Sequence, residues 1–298
     1  MTRSTLFPGR LGLATARIPH ADRHGLLWLS RGGLHVEAGT LRFRAARSED
    51  LEPGDYAIPY QGISMILLGP GTSVTHDVLR ILARHGTLLA AVGEGGVKLY
   101  TAPPMGQGRS DVARAQARLW ADENLRLSVA RRMYAYRFGK EPPRREIEAL
   151  RGIEGARLKE CYRLVAREHG VPWAGRRYDR RNPRAADLPN QAINHAATFV
   201  EAAADIAVAA VGALPPLGFI HEESSKAFTL DIADLWRVEV TLPLAFSVAA
   251  EVAAKPSLVL ERELRHTAAT WLKRSKLIPR MIRAIKELLD VHDSSGSP

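Results

Sequence analysis

The period of the hydrophobic pattern changes at about residue 100. Before it, the apolar positions fall in short or alternating runs: "LLWLS" (26–30), "LHVEAGTLRFRA" (34–45), "ISMILLG" (63–69), "TLLAAVG" (87–93) and "GVKLY" (96–100). Gly, Pro and Asp separate them, which is the pattern of strands joined by turns. One helix interrupts the series. Thr75 is placed to cap "HDVLRILARHG", with Val78, Leu79 and Leu82 on one face and Gly86 as the stop.

The stretch "TAPPMGQGRSD" (101–111) reads as a linker. Beyond it the period is helical. Ser110 or Asp111 caps one long segment to about Phe138. "IEALRGIEGARLKECYRLVAREHG" comes next, then helices over 190–212, 231–237, 243–254, 258–276 and 279–292. The expected fold is α+β and multidomain: a small N-terminal β domain (1–100), a linker (101–111), a larger all-α domain (112–292) and a disordered tail (293–298).

Charge sharpens this picture. Residues 126–184 hold 17 Lys/Arg against 7 Asp/Glu, while the rest of the chain balances at 25 against 25. The whole net charge of +10 therefore lies in one segment. Such a concentration marks either a polyanion-binding face or a solvated basic helix. The single cysteine, Cys161, excludes an intrachain disulfide framework and fits a reducing cytoplasm. Met1 to Pro8 lacks the apolar core of a signal peptide. The least polar stretch, Ala202 to Ile220, is broken by Asp205, Pro215 and Pro216, so it reads as a buried helix and a turn, not a membrane span.

Four residues are candidates for chemistry. Glu154 lies in a glycine-flanked turn, "RGIEG" (151–155), and at helical spacing shares a face with Arg157, Leu158 and Cys161. His221 ends a strand formed by "LGFI". Asp231 and Asp234 are three apart at the start of a helix, so they can share a face. Carboxylates and an imidazole from separate segments suit Mg²⁺ or Mn²⁺, the imidazole favouring Mn²⁺. Plain alternatives exist: a structurally satisfied His221, Asp231 as a helix cap, and Glu154 paired with Arg157. There is no phosphate-binding Gly loop with its Lys, no HExxH, no CxxC pair and no GxSxG. The common nucleotide hydrolases, zinc proteases and serine hydrolases are thereby disfavoured.

The longer motifs resemble a known family. "LRGIEGARLKECYRLVAREHGVPWAGRRYD", "LGFIHEESSKAFTLDIADLWR" and "RELRH…WLKRSK" are similar to the CRISPR-associated spacer-acquisition integrase (CRISPR-associated protein one), in its type I-E-like subtype. "PGTSVTHDVLRILARHGTLLAAVGEGGVKLY" extends the likeness into the β region. The resemblance implies a homodimer that works with a small ferredoxin-like partner, CRISPR-associated protein two. It implies a duplex DNA substrate with 3′ overhangs, inserted into CRISPR repeat DNA by 3′-OH attack on a phosphodiester. It also implies Glu154, His221 and Asp234 as catalytic metal ligands for Mg²⁺ or Mn²⁺, with Asp231 as an accessory acidic position.

Positions matching the family's DNA contacts are Arg80, Lys98, Arg237, Arg262 and Arg265. Arg157, Arg176, Arg177 and Tyr178 fall near the site in the shared motifs. Departures from the family pattern occur at Arg31, where relatives carry an aromatic wedge, and at Ser73 and Glu223–Ser224, where they carry basic or Gly-Lys residues. Competing readings are an endonuclease that cleaves branched DNA without integrating it, and a non-catalytic DNA scaffold.

Overall fold

The computed structural model describes residues 25–47, 51–101, 110–139, 147–177 and 186–291. A strand-rich N-terminal region is followed by a helical one, as the change of period predicts. Most of the expected linker and the whole of the expected tail lie outside the described residues.

Among the described residues, eight strands form two four-stranded sheets. The strands are β1 (Gly25–Leu29), β2 (Gly32–Glu37), β3 (Thr40–Ala45), β4 (Gly54–Ala57), β5 (Ile63–Leu68), β6 (Thr72–Val74), β7 (Leu88–Val92) and β8 (Leu99–Thr101). The first sheet has the order β1-β5-β7-β8 and the second β4-β3-β2-β6. In the first sheet β5 pairs in parallel with both β1 and β7. All six residues of β5 are buried, as expected of a parallel strand covered on both faces. The crossover is helix α1 (His76–His85), which starts after Thr75 and stops at Gly86 in the left-handed conformation (φ 66°). Strands β4 and β6 carry no periodic signal in the sequence.

The sheets feed two cores. Leu34, Leu41 and Phe43 of the second sheet pack with Leu27, Leu29, Ile66, Val78 and Leu82. The opposite face of the first sheet, with Met65, Leu67 and Ala90, joins a larger core shared with the helices. The approach is close at two glycines. A Cβ on Gly95 would fall 2.1 Å from Ala269 Cβ, and one on Gly96 would fall 2.0 Å from the Trp28 ring. Both have positive φ (62° and 79°), so no other residue fits there without displacement.

The helical region contains α2 (Asp111–Ala121), α3 (Glu123–Phe138), α4 (Ile147–Glu168), α5 (Leu188–Val211), α6 (Ala227–Leu235), α7 (Leu242–Ala254), α8 (Leu260–Ser275) and α9 (Leu277–Leu288). The single helix expected between residue 110 and Phe138 is two. Asp122 takes an extended conformation, ends α2, and accepts a hydrogen bond from the Leu125 amide to cap α3. The 24-residue α5 runs through the middle, with 13 of its residues buried. The Ala-rich stretch is thus a core helix, and among the described residues no helix is long and apolar enough to cross a membrane.

Candidate active site

Glu154 lies within a continuous helix. The glycine-flanked turn expected at "RGIEG" does not occur, because α4 runs unbroken from Ile147 to Glu168. Among the described residues, a Cβ on Gly152 or Gly155 would meet nothing within 4 Å beyond its own stretch of helix. The fold therefore does not need these glycines for its own packing, and they leave open space beside the Glu154 turn. Glu154 itself points inward, its side chain 14% exposed. It does not pair with Arg157, which is exposed and lies over the Phe138 ring at 5.5 Å. Its partner is Arg137, at the end of α3, with 2.5 Å between Nη1 and Oε1.

Arg137 carries no sequence signal of its own, yet it is central. Its side chain is 1% exposed, and the same Nη1 is 4.0 Å from Asp234 Oδ2. Its Nε and Nη2 are buried and make no hydrogen bond among the described residues. Tyr134, one turn earlier on α3, stands beside Glu154. Burial, and then the charge of Glu154, push its phenol well above its ordinary range, though the hydroxyl makes no hydrogen bond of normal geometry.

His221 sits in a loop, not at the end of a strand. The preceding apolar run is held by side chains. Gln116 of α2, fully buried, donates to the carbonyls of Leu214 and Leu217 and accepts from the Leu214 amide. Trp120 Nε1 donates to the Gly218 carbonyl at 3.0 Å. A Cβ at Gly218 would fall 2.4 Å from the His221 carbonyl oxygen, so the turn requires glycine.

Asp231 anchors residues 219–221. Asp231 lies at the middle of α6 and Asp234 near its end, and Lys226 occupies the N-cap, so Asp231 is not its cap. Its buried carboxylate accepts the amides of Phe219 (2.6 Å), Ile220 (3.1 Å) and His221 (3.0 Å). It also bonds His221 Nδ1 at 2.7 Å. That bond raises the His221 pKa against the opposing effect of burial. The ring is thereby turned so that Nε2 lies 4.0 Å from Asp234 Oδ2. A carboxylate that orients a histidine through one nitrogen while the other faces outward is the support a metal-binding imidazole requires.

A one-turn π-helix, Arg237–Thr241, succeeds α6. It places Arg237 against Asp234, to which the guanidinium donates. π-turns inside helices often occur at functional sites. Glu201 of α5 faces the same cluster, and burial, then the charge of Asp234, raise its carboxyl above the usual range. The centre thus holds Glu154 and Asp234 balanced by Arg137 and Arg237, with His221 at the rim.

This geometry meets an independent result. The family model "CRISPR associated protein Cas1" matches residues 26–141 and 139–261. The chain belongs to the Cas1 family. Two similar relatives are CRISPR-associated endonucleases Cas1. One, from Geobacter sulfurreducens, is 38% identical over 273 residues, spanning 91% of this chain and 86% of the relative. The other, from Escherichia coli K12, is 37% identical over 273 residues, with coverage of 91% and 87%. The crystal structure of the TtCas1–DNA complex superposes with a TM-score of 0.79 at 34% identity, covering 91% of this chain and 99% of that one. A casposase bound to integration product shares the fold, with a TM-score of 0.62 at 19% identity.

Within this Cas1 chain, the donor set fits a hard or borderline divalent cation: one imidazole nitrogen and two carboxylates. The fit is also electrostatic, since a guanidinium nitrogen already lies between Glu154 and Asp234. The trio is not drawn in tightly. Among the described residues, the ligand atoms that all lie within 4.8 Å of one another belong to a different trio, His35, Glu37 and Asp55.

The basic positions divide. Arg237 is in the centre. Arg176 and Arg177 are exposed but tied to α5: Arg176 donates to Asn190 and Asn194, and the Arg177 amide to Asn190. Arg262 and Arg265 lie on the exposed face of α8, the latter paired with Glu261. Arg80 is exposed on α1 and pairs with Asp77. Lys98 lies over the exposed Tyr100 ring at 5.4 Å. Tyr178 falls outside the described residues.

Arg137 gives a direct test of the electrostatic fit. In Arg137→Met, Glu154 loses its buried counter-charge, and metal-free stability should fall by about 3 kcal/mol. A divalent ion would replace that charge. Added Mn²⁺ should therefore raise the melting temperature of the variant more than that of the wild type, as read by calorimetry with and without metal. An equal or smaller rise would show that the ion does not enter between Glu154 and Asp234.

Proposed function

We propose that the chain is a divalent-metal-dependent DNA integrase of CRISPR adaptation, of the type I-E-like subtype, with endonuclease activity on branched DNA. The observation that carries this reading is the convergence of Glu154, Asp234 and the Asp231-oriented His221 around the buried Arg137 and the part-buried Arg237 guanidinium groups. Relatives named as endonucleases and a relative solved with DNA support it.

Glu154, His221 Nε2 and Asp234 would hold Mg²⁺ or Mn²⁺. The chemistry the ion supplies when bound is polarisation of the scissile phosphate and stabilisation of the leaving 3′-oxygen. The chain's own residues do the rest. Asp231 holds the imidazole in place. Arg137 and Arg237 neutralise the two carboxylates, so a bound dication leaves a net positive centre that a DNA phosphate complements. The open side of α4 at Gly152 and Gly155 gives the backbone room. Arg80, Lys98, Arg157, Arg176, Arg177, Tyr178, Arg262 and Arg265 would position duplex through phosphate contacts, which are individually weak and collectively salt-sensitive.

The reaction balances without a protein nucleophile. The 3′-oxygen of the incoming strand forms a bond to phosphorus as the P–O3′ bond of the repeat breaks. The hydroxyl proton lost by one strand is matched by the proton gained by the other. The working form would be a homodimer with the small ferredoxin-like CRISPR-associated protein two, carrying DNA with 3′ overhangs to CRISPR repeat DNA. A strand-transfer assay with labelled DNA, in parallel with its 3′-deoxy analogue, tests the reading. Product is expected from the 3′-OH substrate alone. Cleavage of branched DNA with no transfer from the 3′-OH substrate would leave a nuclease and reject the integrase.

A further inference from the structure

We propose a second metal site, on the outer face of the second sheet, in which His35, Glu37 and Asp55 take a divalent transition ion of the Zn²⁺ class. Its residues come from strand positions that face away from the core. Leu34 and Leu41 turn inward and are buried, so His35 and Glu37, alternating with Leu34 and Val36, turn outward. His35 stands opposite Arg42 in the β2–β3 ladder, and Asp55 lies diagonally across on β4. One ligand atom from each of His35, Glu37 and Asp55 lies within 4.8 Å of the others.

Two polar atoms of this trio lack a hydrogen-bond partner among the described residues. His35 Nε2 and Asp55 Oδ1 are buried, make no hydrogen bond among the described residues, and face each other at 3.9 Å. The His35 Nδ1 nitrogen lies 3.5 Å from the Gly33 carbonyl. A proton directed there leaves the Nε2 lone pair facing the carboxylate, the tautomer that binds metal. Two acceptors then confront each other across a space with no donor between them, and a cation satisfies both. A tetrahedral ion with ligands at roughly 2.0–2.1 Å holds them about 3.4 Å apart, so His35 and Asp55 close by about half an ångström, and the exposed Glu37 side chain, within 4.8 Å of both, swings in to complete the trio.

Arg42 helps rather than fills the site. Its Nε bonds Asp55 Oδ2 at 2.9 Å and approaches Glu37 Oε2 at 3.2 Å. One oxygen of each carboxylate is thereby held and the other released for an ion. Arg42 is the one guanidinium bonded to the two carboxylates; Arg44, opposite Asp55 in the β3–β4 ladder, is exposed to solvent. The imidazole favours Zn²⁺ or Mn²⁺ over Mg²⁺. Bound across β2 and β4, the ion would tie three strands of this sheet together. Glu37, 65% exposed, gives it access from solvent.

The test uses the full chain carrying Glu154→Ala and His221→Ala, which removes ligands of the helical site, with Co²⁺ as the probe. One equivalent should still bind with visible d–d absorption and be displaced by Zn²⁺. Zn²⁺ should raise the melting temperature by about 3 °C or more. Adding His35→Gln, or separately Glu37→Gln on its exposed side chain, should weaken Co²⁺ binding at least about tenfold. Glu37→Gln keeps the test valid should His35→Gln fold poorly. Absence of Co²⁺ binding in the parent, or undiminished binding with Glu37→Gln and His35→Gln, would overturn the site and leave the trio as a polar surface cluster that holds no ion. If the parent double variant does not fold, stoichiometry decides in the otherwise wild-type chain. Loss of one equivalent on Glu37→Gln supports the site, and no loss overturns it.

Discussion

Glu154→Gln will stop strand transfer while leaving a folded protein that binds DNA. The expected fall in rate is at least about a thousandfold, because a metal ligand supports several kcal/mol of charge stabilisation in the transition state. Gln keeps the shape and one hydrogen-bond acceptor for Arg137 but not the counter-charge, so the stability loss should be about 2 kcal/mol, below that of Ala. Glu154→Ala should lose the same activity at a higher structural cost. It strands a guanidinium whose side chain is only 1% exposed, and removing one partner of a buried pair typically costs about 3–5 kcal/mol. Strand transfer, DNA affinity and thermal melts on both variants separate the two effects. Transfer by Glu154→Gln within about tenfold of wild type, in Mn²⁺, would remove Glu154 from the reaction.

The difference between these two variants shows what the sequence can and cannot reveal. Period 2 and period 3.6 locate most strands and all the long helices, because burial of one face dictates both patterns. Boundaries fail where a single polar side chain decides them. Asp122 looks like any helix-surface residue, yet its extended backbone divides the segment between residue 110 and Phe138. "LGFI" is apolar enough for a strand. Its amides, however, are taken by the Asp231 carboxylate and its neighbouring carbonyls by Gln116 and Trp120, so no ladder can form. The two glycines around Glu154 suggest a turn, but each costs a helix only about 1 kcal/mol, which a 22-residue helix tolerates. Strands β4 and β6, of four and three residues, are too short to show a period.

The site divides in the same way. Glu154, His221 and Asp234 stand out as residue types with metal chemistry. Arg137 does not, because one arginine in "RRMYAYRFG" looks like the others and only burial distinguishes it. The spacing of carboxylates around it, read after the helices are placed, is the signal that identifies it. Glu201 is hidden for the same reason: it is one acid in a long Ala-rich helix, and its proximity to Asp234 is set by how α5 packs on α6.

Asp231→Asn should be the most damaging single-atom change outside the proposed ligands. The Asp231 side chain is fully buried and takes four hydrogen-bond partners: three consecutive amides, Phe219 to His221, and the His221 ring. An amide side chain keeps one oxygen but turns an NH₂ group toward donors, leaving either the His221 amide or the Phe219 and Ile220 amides without an acceptor. At about 1–3 kcal/mol for each stranded group, the loss should be about 2–4 kcal/mol, a fall of roughly 5–10 °C in melting temperature. A second consequence distinguishes positioning from mere support. With Nδ1 released, the ring no longer presents Nε2 toward Asp234, and Mn²⁺ affinity should fall about 10–100-fold. DNA affinity, which the proposed reading assigns to distant phosphate contacts, should hold at temperatures well below the melt. Titrating Mn²⁺ at such a temperature by electron paramagnetic resonance reads the affinity directly, without activity. A destabilised Asp231→Asn protein that binds Mn²⁺ as tightly as the wild type would make Asp231 a structural anchor of the 219–221 loop and nothing more.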